Sequence, residues 1–483
     1  MVYLNQYPNQ PRERDYAFAG SFYFFSVWIG FGVLALFDGL SKFISEKIAA
    51  PVAGLICFIA VPAVMGAENW HDHDRSGRYL ARDVAFDYLN SCAPDAILFT
   101  NGDNDTFPLW YAQEVESKRT DVRVCNLMLL NTDWYIDQMK SRTYGSAPLP
   151  VTLPVQKYYD GINNQLFIVE KTKDPVDIST IIDFVKSDNK ATKVQVSATE
   201  ILDIIPSRTI RIPVDKAKVL ASGTVKPEDA DKIVPYIDIK LKGNSILKSQ
   251  LIVLDILAHN NWERPIYFVT GYHNDALGLE EYFQLEGLAY RLVPIKSQNK
   301  SWLDYGRIDT DILYQNLVKK FLWGGANKKS VDIDYNHQRT IIVVKARLNY
   351  ARLAKALSME GKNEKALETL NFCMEALPLE KIPYDPYMAD IIDAYFAAGA
   401  TEKAVDMTNA FCDYYYKRLD YFLKQKPFII SSAEFEIQTA IQYTSKVANS
   451  CAAHGKPEIG ELINKKLESY YTDYIKVIQP AGK

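Results

Sequence analysis

The sequence predicts two transmembrane α-helices, followed by an α/β domain with a mainly parallel sheet and then by a domain of α-helical repeats. Three patterns predict this fold class. They are two uncharged apolar runs near the start, alternating helix and strand patterns from about residue 78, and paired helix patterns beyond about residue 340. A chain of 483 residues is too long for one ordinary hydrophobic core, so several structural units are expected.

The same patterns divide the chain into five predicted regions. We expect a polar membrane-proximal segment over residues 1–16, two transmembrane helices within 17–67, a soluble α/β domain over 68–300, a connecting segment over 301–340 and the helical domain over 341–483.

Charge and cysteine content argue against several classes of function. The 55 basic and 59 acidic residues give a net charge of −4, and no basic block indicates a nucleic-acid partner. The six cysteines lack the paired spacing of a zinc site and the density of a disulfide scaffold. WHDHDRSGRY, residues 70–79, taken as an extended segment, places only His71 and His73 on one side, whereas a structural zinc site needs four ligands. We predict no metal centre.

Two apolar runs predict membrane spans. AFAGSFYFFSVWIGFGVLALF, residues 17–37, and IAAPVAGLICFIAVPAVMGA, residues 48–67, contain no charged residue, and each is close to the roughly 20 residues that cross a bilayer. A signal peptide or a buried soluble hairpin is the alternative. A signal peptide lacks the second run and begins with a short basic stretch, unlike MVYLNQYPNQPRERDY.

The orientation of these spans depends on weak charge signals. Two helices place residues 1–16 and everything after residue 67 on the same side of the membrane. Lys42 and Lys47 lie in the connecting loop, and a larger number of arginines flank the outer ends, which by itself favours a cytoplasmic large domain. Long domains and upstream helices override such a count. The flanking arginines are Arg12, Arg14, Arg75, Arg78 and Arg82.

The middle of the chain alternates between helix and strand patterns. AILFT, VRVCNLMLL and PIYFV have the short apolar character of buried strands, and amphipathic helix patterns lie between them. This order predicts parallel strands joined by right-handed crossovers. After PIYFV, the segment LGLEEYFQLEGLAY, residues 277–290, predicts a further helix.

Polar loops follow three of the predicted strands. NGDND follows ILFT, NTDW follows LMLL, and TGYHND follows IYFV. Since ligands of parallel sheets bind beyond the carboxyl ends of the strands, we expect these loops to share one edge and to contain any ligand site. The candidate ligand-binding residues are Asn101, Asp103, Asp105, Asn131, Asp133, His273 and Asp275.

The loop in TNGDNDTFPLWY, residues 100–111, has two interpretations. Asp105 or Thr106 can cap a helix whose first turn contains Pro108, and Gly102 can supply the preceding turn. Alternatively, free backbone amides at the helix start bind an anion, or the carboxylates hold a divalent cation through oxygen ligands. Capping is the more common use of such residues, and we favour it without excluding a ligand.

The end of the chain repeats one layout. YARLAKALSMEGKNEKALETLNFCMEALP and MADIIDAYFAAGATEKAVDMTNAFCDYY each contain a helix, a glycine turn and a second helix that starts near Glu-Lys-Ala. The turn glycines, Gly361 and Gly399, are separated by close to the roughly 34 residues of a tetratricopeptide repeat. We therefore expect a tetratricopeptide-like domain, and such repeats bind other proteins or support a neighbouring domain.

Several motifs together resemble a known family. YLNQYPNQPRERDYAFAGSFY, HDRSGRYLARD, ILFTNGDNDTFPLWYAQE, NTDWYIDQ, NNWERPIYF and LEEYFQLEGLAYRLVP, followed by GKNEKALETLNFCMEALP, resemble the C-terminal part of bacterial protein O-mannosyltransferase-like membrane proteins. These are relatives of transmembrane protein 260 and were formerly a domain of unknown function. The resemblance implies integral-membrane glycosyltransferases that move a sugar from a lipid-phosphate donor to Ser or Thr on the extracytoplasmic side.

The chain departs from this family in its membrane region. Such enzymes place their catalytic carboxylate in an early loop of a long membrane domain, and no residue here matches that loop, so the catalytic residues are unknown. The resemblance alone implies the lipid-phosphate sugar donor, and no other cofactor is evident. We expect the tail of such an enzyme, whether as a truncated chain, a split gene or a degenerate copy, with a multi-span membrane domain as partner.

These observations suggest three candidate functions. The favoured one is a C-terminal or accessory segment that presents acceptor proteins or stabilises a membrane catalytic domain. The alternative is a membrane-anchored interaction scaffold without a catalytic role. A self-sufficient α/β enzyme is disfavoured, because the sequence has no glycine-rich phosphate loop and no Ser-His-Asp or Cys-His arrangement. Following the resemblance rather than the arginine count, we expect a bacterial inner-membrane protein with its large part extracytoplasmic.

Overall fold

A computed structural model describes residues 15–195, 201–269, 276–298 and 305–478. The chain divides into two compact units, Met1–Gly77 and Arg78–Lys483.

The first unit consists of two apolar helices. Helix α1 (Ala19–Leu40) packs against α2 (Glu46–Phe58), which continues through a π-helical turn at Ile59–Ala63 into α3 (Val64–His73). The turn contains Pro62, whose missing N–H interrupts the regular hydrogen-bond ladder.

Both helical segments of this unit, Tyr16–Leu40 and Glu46–His73, are long and apolar enough to cross a membrane, and almost none of their residues are buried. Apolar surface of this extent is costly in water, which supports membrane association. Residues 70–73 were expected to be extended but continue this helix, because backbone hydrogen bonding carries past the apolar run.

The second unit begins with alternating helices and strands. The segment between β2 (Arg123–Asn126) and β10 (Ile266–Val269), called the excursion below, contains short strands outside the main sheet. The chain then returns to the main sheet and continues into the helical tail. In chain order the elements are α4 (Leu80–Ser91), β1 (Ile97–Thr100), α5 (Asp103–Glu114), β2 (Arg123–Asn126), α6 (Asp133–Met139), β3 (Gln165–Ile168), β4 (Val176–Asp177), α7 (Ile178–Lys186), β5 (Lys193–Gln195), β6 (Ile201–Ile205), β7 (Thr209–Pro213), α8 (Lys216–Ala221), β8 (Tyr236–Lys240), β9 (Ser245–Leu247), α9 (Lys248–Asn260), β10 (Ile266–Val269), β11 (Phe283–Leu285), β12 (Ala289–Leu292), β13 (Arg307–Ile308), α10 (Thr310–Tyr314) and α11 (Tyr335–Val343).

The main sheet of the described residues is mixed, in the order β13-β11-β12-β10-β1-β2. Strand β1 runs parallel to both β10 and β2, with Ile97 opposite Ile266 and Arg123. Strand β12 is antiparallel to β10 and to β11. The prediction of a mainly parallel sheet therefore holds for β10-β1-β2 and for the parallel pair β11-β13, whereas β12 is antiparallel to both of its neighbours and makes the sheet mixed.

The helix predicted over residues 277–290 is wrong. This segment instead contributes β11 and the start of β12, which form a hairpin. Both strands are buried along their whole length, and an apolar run buried on both faces has no period that separates strand from helix. Gly287 in the turn has φ +136, and a Cβ there would lie 2.2 Å from the Ser91 Oγ, so the tight packing requires glycine.

The excursion between β2 and β10 forms two smaller sheets, β5-β6-β3-β9 and β4-β7-β8, among the described residues. Helix α7 packs against α9 and against strands β6 and β7. Helix α9, with ten buried residues over Lys248–Asn260, returns the chain to the main sheet at β10. The hydrophobic core continues without a break from Leu80 through the sheet into the helical tail at Tyr474.

The helical tail contains three successive helix pairs. In each pair the first helix is followed by a glycine with positive φ, which is the left-handed conformation that commonly ends helices: Gly361 (φ 75), Gly399 (φ 85) and Gly455 (φ 78). The helices are α12 (Ala346–Met359), α13 (Asn363–Ala376), α14 (Met388–Ala397), α15 (Thr401–Leu423), α16 (Pro427–Ser432), α17 (Glu434–Ala453) and α18 (Pro457–Ile478).

Candidate functional site

The carboxyl ends of β10, β1 and β2 lie side by side at one edge of the main sheet. The chain leaves β1 towards β2, and β10 is bordered on its other side by β12. The connections that follow β1 and β10 therefore lead towards opposite sides of the sheet. Ligands of α/β sheets bind at such a point between neighbouring parallel strands. The loops after β1 and β2 therefore share this edge, whereas His273 and Asp275 lie outside the described residues.

Asp105 works as a helix cap. Its carboxylate accepts hydrogen bonds from the backbone N–H of Asn101 at 2.9 Å and of Gly102 at 2.8 Å, which satisfies two amides at the start of α5. Burial raises the pKa of Asp105, and the backbone donors oppose that shift. The capping role of Asp105 agrees with the prediction, but α5 begins earlier than the predicted cap implied. The helix starts at Asp103, so Asp105 is its third residue and reaches back to the preceding amides, and Pro108 lies inside the helix rather than in its first turn.

A buried hydrogen-bonded chain ties the two loops together. The Thr106 hydroxyl lies 2.7 Å from the Thr100 hydroxyl and accepts from the Asn126 side chain at 2.8 Å. The Asn126 Oδ1 also accepts from the backbone N–H of Met128 and of Leu129. These hydrogen bonds join the start of α5 to the ends of β1 and β2.

Asn131 and Asp133, in the loop after β2, are also engaged. The Asn131 Oδ1 accepts from the backbone N–H of Ser249 at 3.1 Å, at the start of α9. The Asp133 carboxylate accepts from the backbone N–H of Trp134 at 2.7 Å and of Asp160 at 3.3 Å. These two side chains position neighbouring segments.

Asn101 and Asp103 retain free polar atoms. Among the described residues, the buried Asn101 Oδ1 has no hydrogen-bond partner and the exposed Asp103 carboxylate makes no hydrogen bond. In the same part of the chain no group of three His, Cys, Asp or Glu side chains is placed to hold a metal ion. Among the described candidate residues, Asn101 and Asp103 are therefore the ones with side-chain atoms left to hydrogen-bond a ligand.

A second concavity lies beside β2, between α5 and α6, with a volume of ≈ 350 Å³. That volume is within the range of small-molecule sites. We call it the aromatic groove. The residues that define it here are Trp110, Glu114, Arg123, Trp134, Gln138 and Tyr144.

Large aromatic rings dominate the groove. Trp134 is 56 % exposed and packs edge-on against Tyr135, with ring centroids 5.5 Å apart. Trp110, on the facing helix, stacks on Phe107 at 5.3 Å. The rings are therefore held in place while Trp134 still presents much of its surface to solvent.

Tyr144 forms part of the rim. It sits in a tight turn closed by two backbone hydrogen bonds between Thr143 and Ser146, and its φ of +50 is uncommon for a bulky residue. Its hydroxyl donates to the Glu114 carboxylate, a bond that raises the pKa of Tyr144. This contact joins the turn to the end of α5.

Arg123 supplies the only buried guanidinium in the groove wall as described. The side chain is 4 % exposed, and its Nη2 donates to the carbonyl oxygens of Gln138 at 2.7 Å and Ser141 at 3.0 Å. Its Nε and Nη1 have no acceptor, and no carboxylate among the described residues pairs with it. Burial lowers the pKa of Arg123. A buried cation without a counter-charge is costly.

Comparison with known families matches residues 81–312 to the model described as TMEM260-associated domain 2. This stretch is a TMEM260-associated domain. The predicted resemblance to the transmembrane protein 260 family is therefore confirmed over this stretch. No curated protein and no solved structure matches the chain.

The TMEM260-associated domain includes both the sheet edge and the aromatic groove. Sequence reasoning found the edge, since its polar residues follow apolar strands directly. It missed the groove, whose residues come from two helices, a strand and a turn. The available signal was aromatic: Trp110 and Trp134 each lie in a helix that follows a strand of the same sheet.

Proposed function

We propose that this chain is the C-terminal or accessory segment of an integral-membrane protein O-glycosyltransferase, where it presents acceptor proteins or stabilises the membrane catalytic domain. The observation behind the proposal is a TMEM260-associated domain that directly follows two exposed apolar helices of spanning length. In this proposal the helices lie in the bacterial inner membrane and the large unit is extracytoplasmic.

The helical tail supports the presenting role. Its three helix pairs, each with a glycine turn, have the layout of stacked repeats, and we propose that they are tetratricopeptide-like and bind protein partners. Membrane lipid and a multi-span membrane domain are the other proposed partners.

The sheet edge is the proposed contact for the lipid-phosphate sugar donor. Asp105 is used as a cap, which leaves Asn101 and Asp103 for the sugar hydroxyls. The Asn101 amide can donate and accept hydrogen bonds, and the Asp103 carboxylate can accept them. The Asp103 carboxylate is exposed and bonds no described residue, so its removal leaves the fold intact.

The test is reconstituted sugar transfer. Membranes that contain a multi-span glycosyltransferase partner are assayed for transfer from a lipid-phosphate sugar to a Ser- or Thr-containing acceptor, with and without this chain. We expect this chain to raise transfer by the partner, and Asp103→Ala to reduce that gain without a change in melting temperature. Transfer by this chain alone would contradict the proposal.

An interaction scaffold without a role in transfer is the second candidate. It is favoured by the engagement of Asp105, Asn131 and Asp133 in caps and loop contacts, which gives those polar residues a structural purpose. Under this alternative the chain co-purifies with partner proteins through its helical tail, and Asp103→Ala alters neither this association nor any sugar transfer.

A further inference from the structure

We propose that the aromatic groove binds a saccharide, with a pyranose ring stacked on Trp134 and its hydroxyl groups hydrogen-bonded to the polar rim. This inference concerns a site separate from the sheet edge, and it does not require the accessory role proposed above.

The first argument is the pairing of flat apolar surface with polar groups in one concavity. One face of a pyranose ring presents C–H groups, which pack against an indole, while its perimeter presents hydroxyls. Trp134 is 56 % exposed, and Trp110 also lines the ≈ 350 Å³ groove. An exposed indole held by its neighbour offers a large contact area at little entropic cost.

The second argument is the mixture of donors and acceptors. Each sugar hydroxyl both donates and accepts a hydrogen bond. The exposed Gln138 amide has no partner among the described residues and can do both. The Glu114 carboxylate binds the Tyr144 hydroxyl through Oε2, which leaves Oε1 as an acceptor.

The third argument is the unused hydrogen-bonding capacity of Arg123. Its Nη2 makes two hydrogen bonds to carbonyl oxygens, whereas Nε and Nη1 have no acceptor in the described structure. A buried donor without an acceptor costs roughly 1–3 kcal/mol. These two atoms are buried, but Arg123 lines the groove, so the carboxylate of an acidic sugar bound there would supply the counter-charge that the guanidinium lacks.

A peptide is a poorer fit, although β2 is the edge strand of the sheet. A peptide would bind by adding a strand to that edge. Side chains already occupy the edge near both ends of β2. The Gln113 amide donates to the Val122 carbonyl at 2.8 Å, and the Tyr135 hydroxyl accepts from the Asn126 N–H at 2.9 Å. Such covering blocks edge pairing.

The test uses saturation-transfer NMR on the full chain in lipid nanodiscs, because sugar-headed detergents would compete. The probes are the methyl pyranosides of glucose, galactose, mannose, N-acetylglucosamine and glucuronic acid, with their disaccharides. We expect at least one probe to bind, with the strongest transfer to the protons of one ring face. Trp134→Ala should weaken its binding roughly tenfold, in line with the loss of a stacking contact, and Gln138→Ala several-fold.

The control variant is Tyr421→Ala, which removes an aromatic ring that is 62 % exposed on α15 and should leave binding unchanged. Circular dichroism confirms that each variant is folded. The inference is overturned if no saccharide in the panel binds, if binding survives both groove substitutions, or if an extended peptide or a nucleoside occupies the groove while the saccharides do not.

Discussion

The sheet edge and the aromatic groove belong to the same TMEM260-associated domain but use their polar groups in opposite ways. At the edge, Asp105, Asn126 and Asn131 hydrogen-bond backbone amides and fix the loops. In the groove, Arg123 and Gln138 keep unused donors and acceptors beside exposed rings. A polar residue at a strand end is thus used first to satisfy backbone amides, and unused hydrogen-bonding capacity is the better indication of a ligand.

The largest expected loss of stability comes from removal of the buried Asn126 side chain, which joins the loops at the sheet edge. Asn126→Ala removes the acceptor for two backbone amides and the donor to Thr106, so we expect a loss of roughly 3 kcal/mol in the free energy of unfolding. Urea denaturation of the variant measures it. The matched control, Gln138→Ala in the groove, should change that energy by under about 0.5 kcal/mol. Equal losses of stability for the two variants would show that the polar groups of the edge and of the groove do not differ in structural role.

A smaller effect is expected at the turn that leads into β2. The Arg119 guanidinium holds both oxygens of Asp121 at 2.8 and 2.9 Å and lowers the pKa of Asp121. Because the folded-state pKa lies below the unfolded one, this stabilisation is present above the unfolded pKa and is lost as the pH falls through the folded pKa.

Asp121→Asn tests that linkage. Because solvent screens the partly exposed ion pair, we expect the free energy of unfolding to fall by only roughly 1.5 kcal/mol at neutral pH. The difference from the unmodified chain should begin to shrink as the pH falls below about 4, the ordinary pKa of an aspartate in the unfolded chain, and should disappear below the lowered folded-state pKa of Asp121. Denaturation curves at several pH values give the result, and a difference that stays constant with pH would rule out this charge effect.

Removal of the helix cap should lower the free energy of unfolding by about 1 kcal/mol. Asp105→Ala removes the acceptor for the Asn101 and Gly102 amides at the start of α5, and cap removal typically costs that amount. Asp103→Ala, two residues earlier on an exposed position, should cost under about 0.5 kcal/mol. Thermal melts of the pair measure the contrast. Equal destabilisation would mean that Asp103 also has a structural role.

The smallest stability effect is expected in the groove. Trp134 is more than half exposed, so Trp134→Phe should leave the melting temperature nearly unchanged while it weakens saccharide binding. Differential scanning calorimetry and the NMR titration together separate the two outcomes. A large drop in melting temperature would identify Trp134 as a packing residue instead.

Local features of this chain could be predicted from sequence. The cap at α5 could be predicted from Asp105, since the amides that it binds lie within five residues along the chain. The turn glycines Gly361 and Gly399 mark helix ends for a similarly local reason. The apolar helices of the first unit follow from composition alone.

Features that depend on distant partners could not be predicted. The β11–β12 hairpin is buried on both faces, so its apolar residues show no strand period. Asn131 looked like a ligand residue because its partner, Ser249, lies in a helix far along the chain. Arg123 looked like an ordinary strand residue, and only the packing of α6 reveals its unpaired guanidinium.

The most direct measurement places the two regions in one assay. Saturation-transfer NMR with the pyranoside panel compares the unmodified chain in nanodiscs with Trp134→Ala and with Asp103→Ala. We expect Trp134→Ala to lose most of the saccharide signal and Asp103→Ala to retain it. Retention of the signal in Trp134→Ala together with its loss in Asp103→Ala would place saccharide binding at the sheet edge and overturn the assignment of the aromatic groove as the saccharide site.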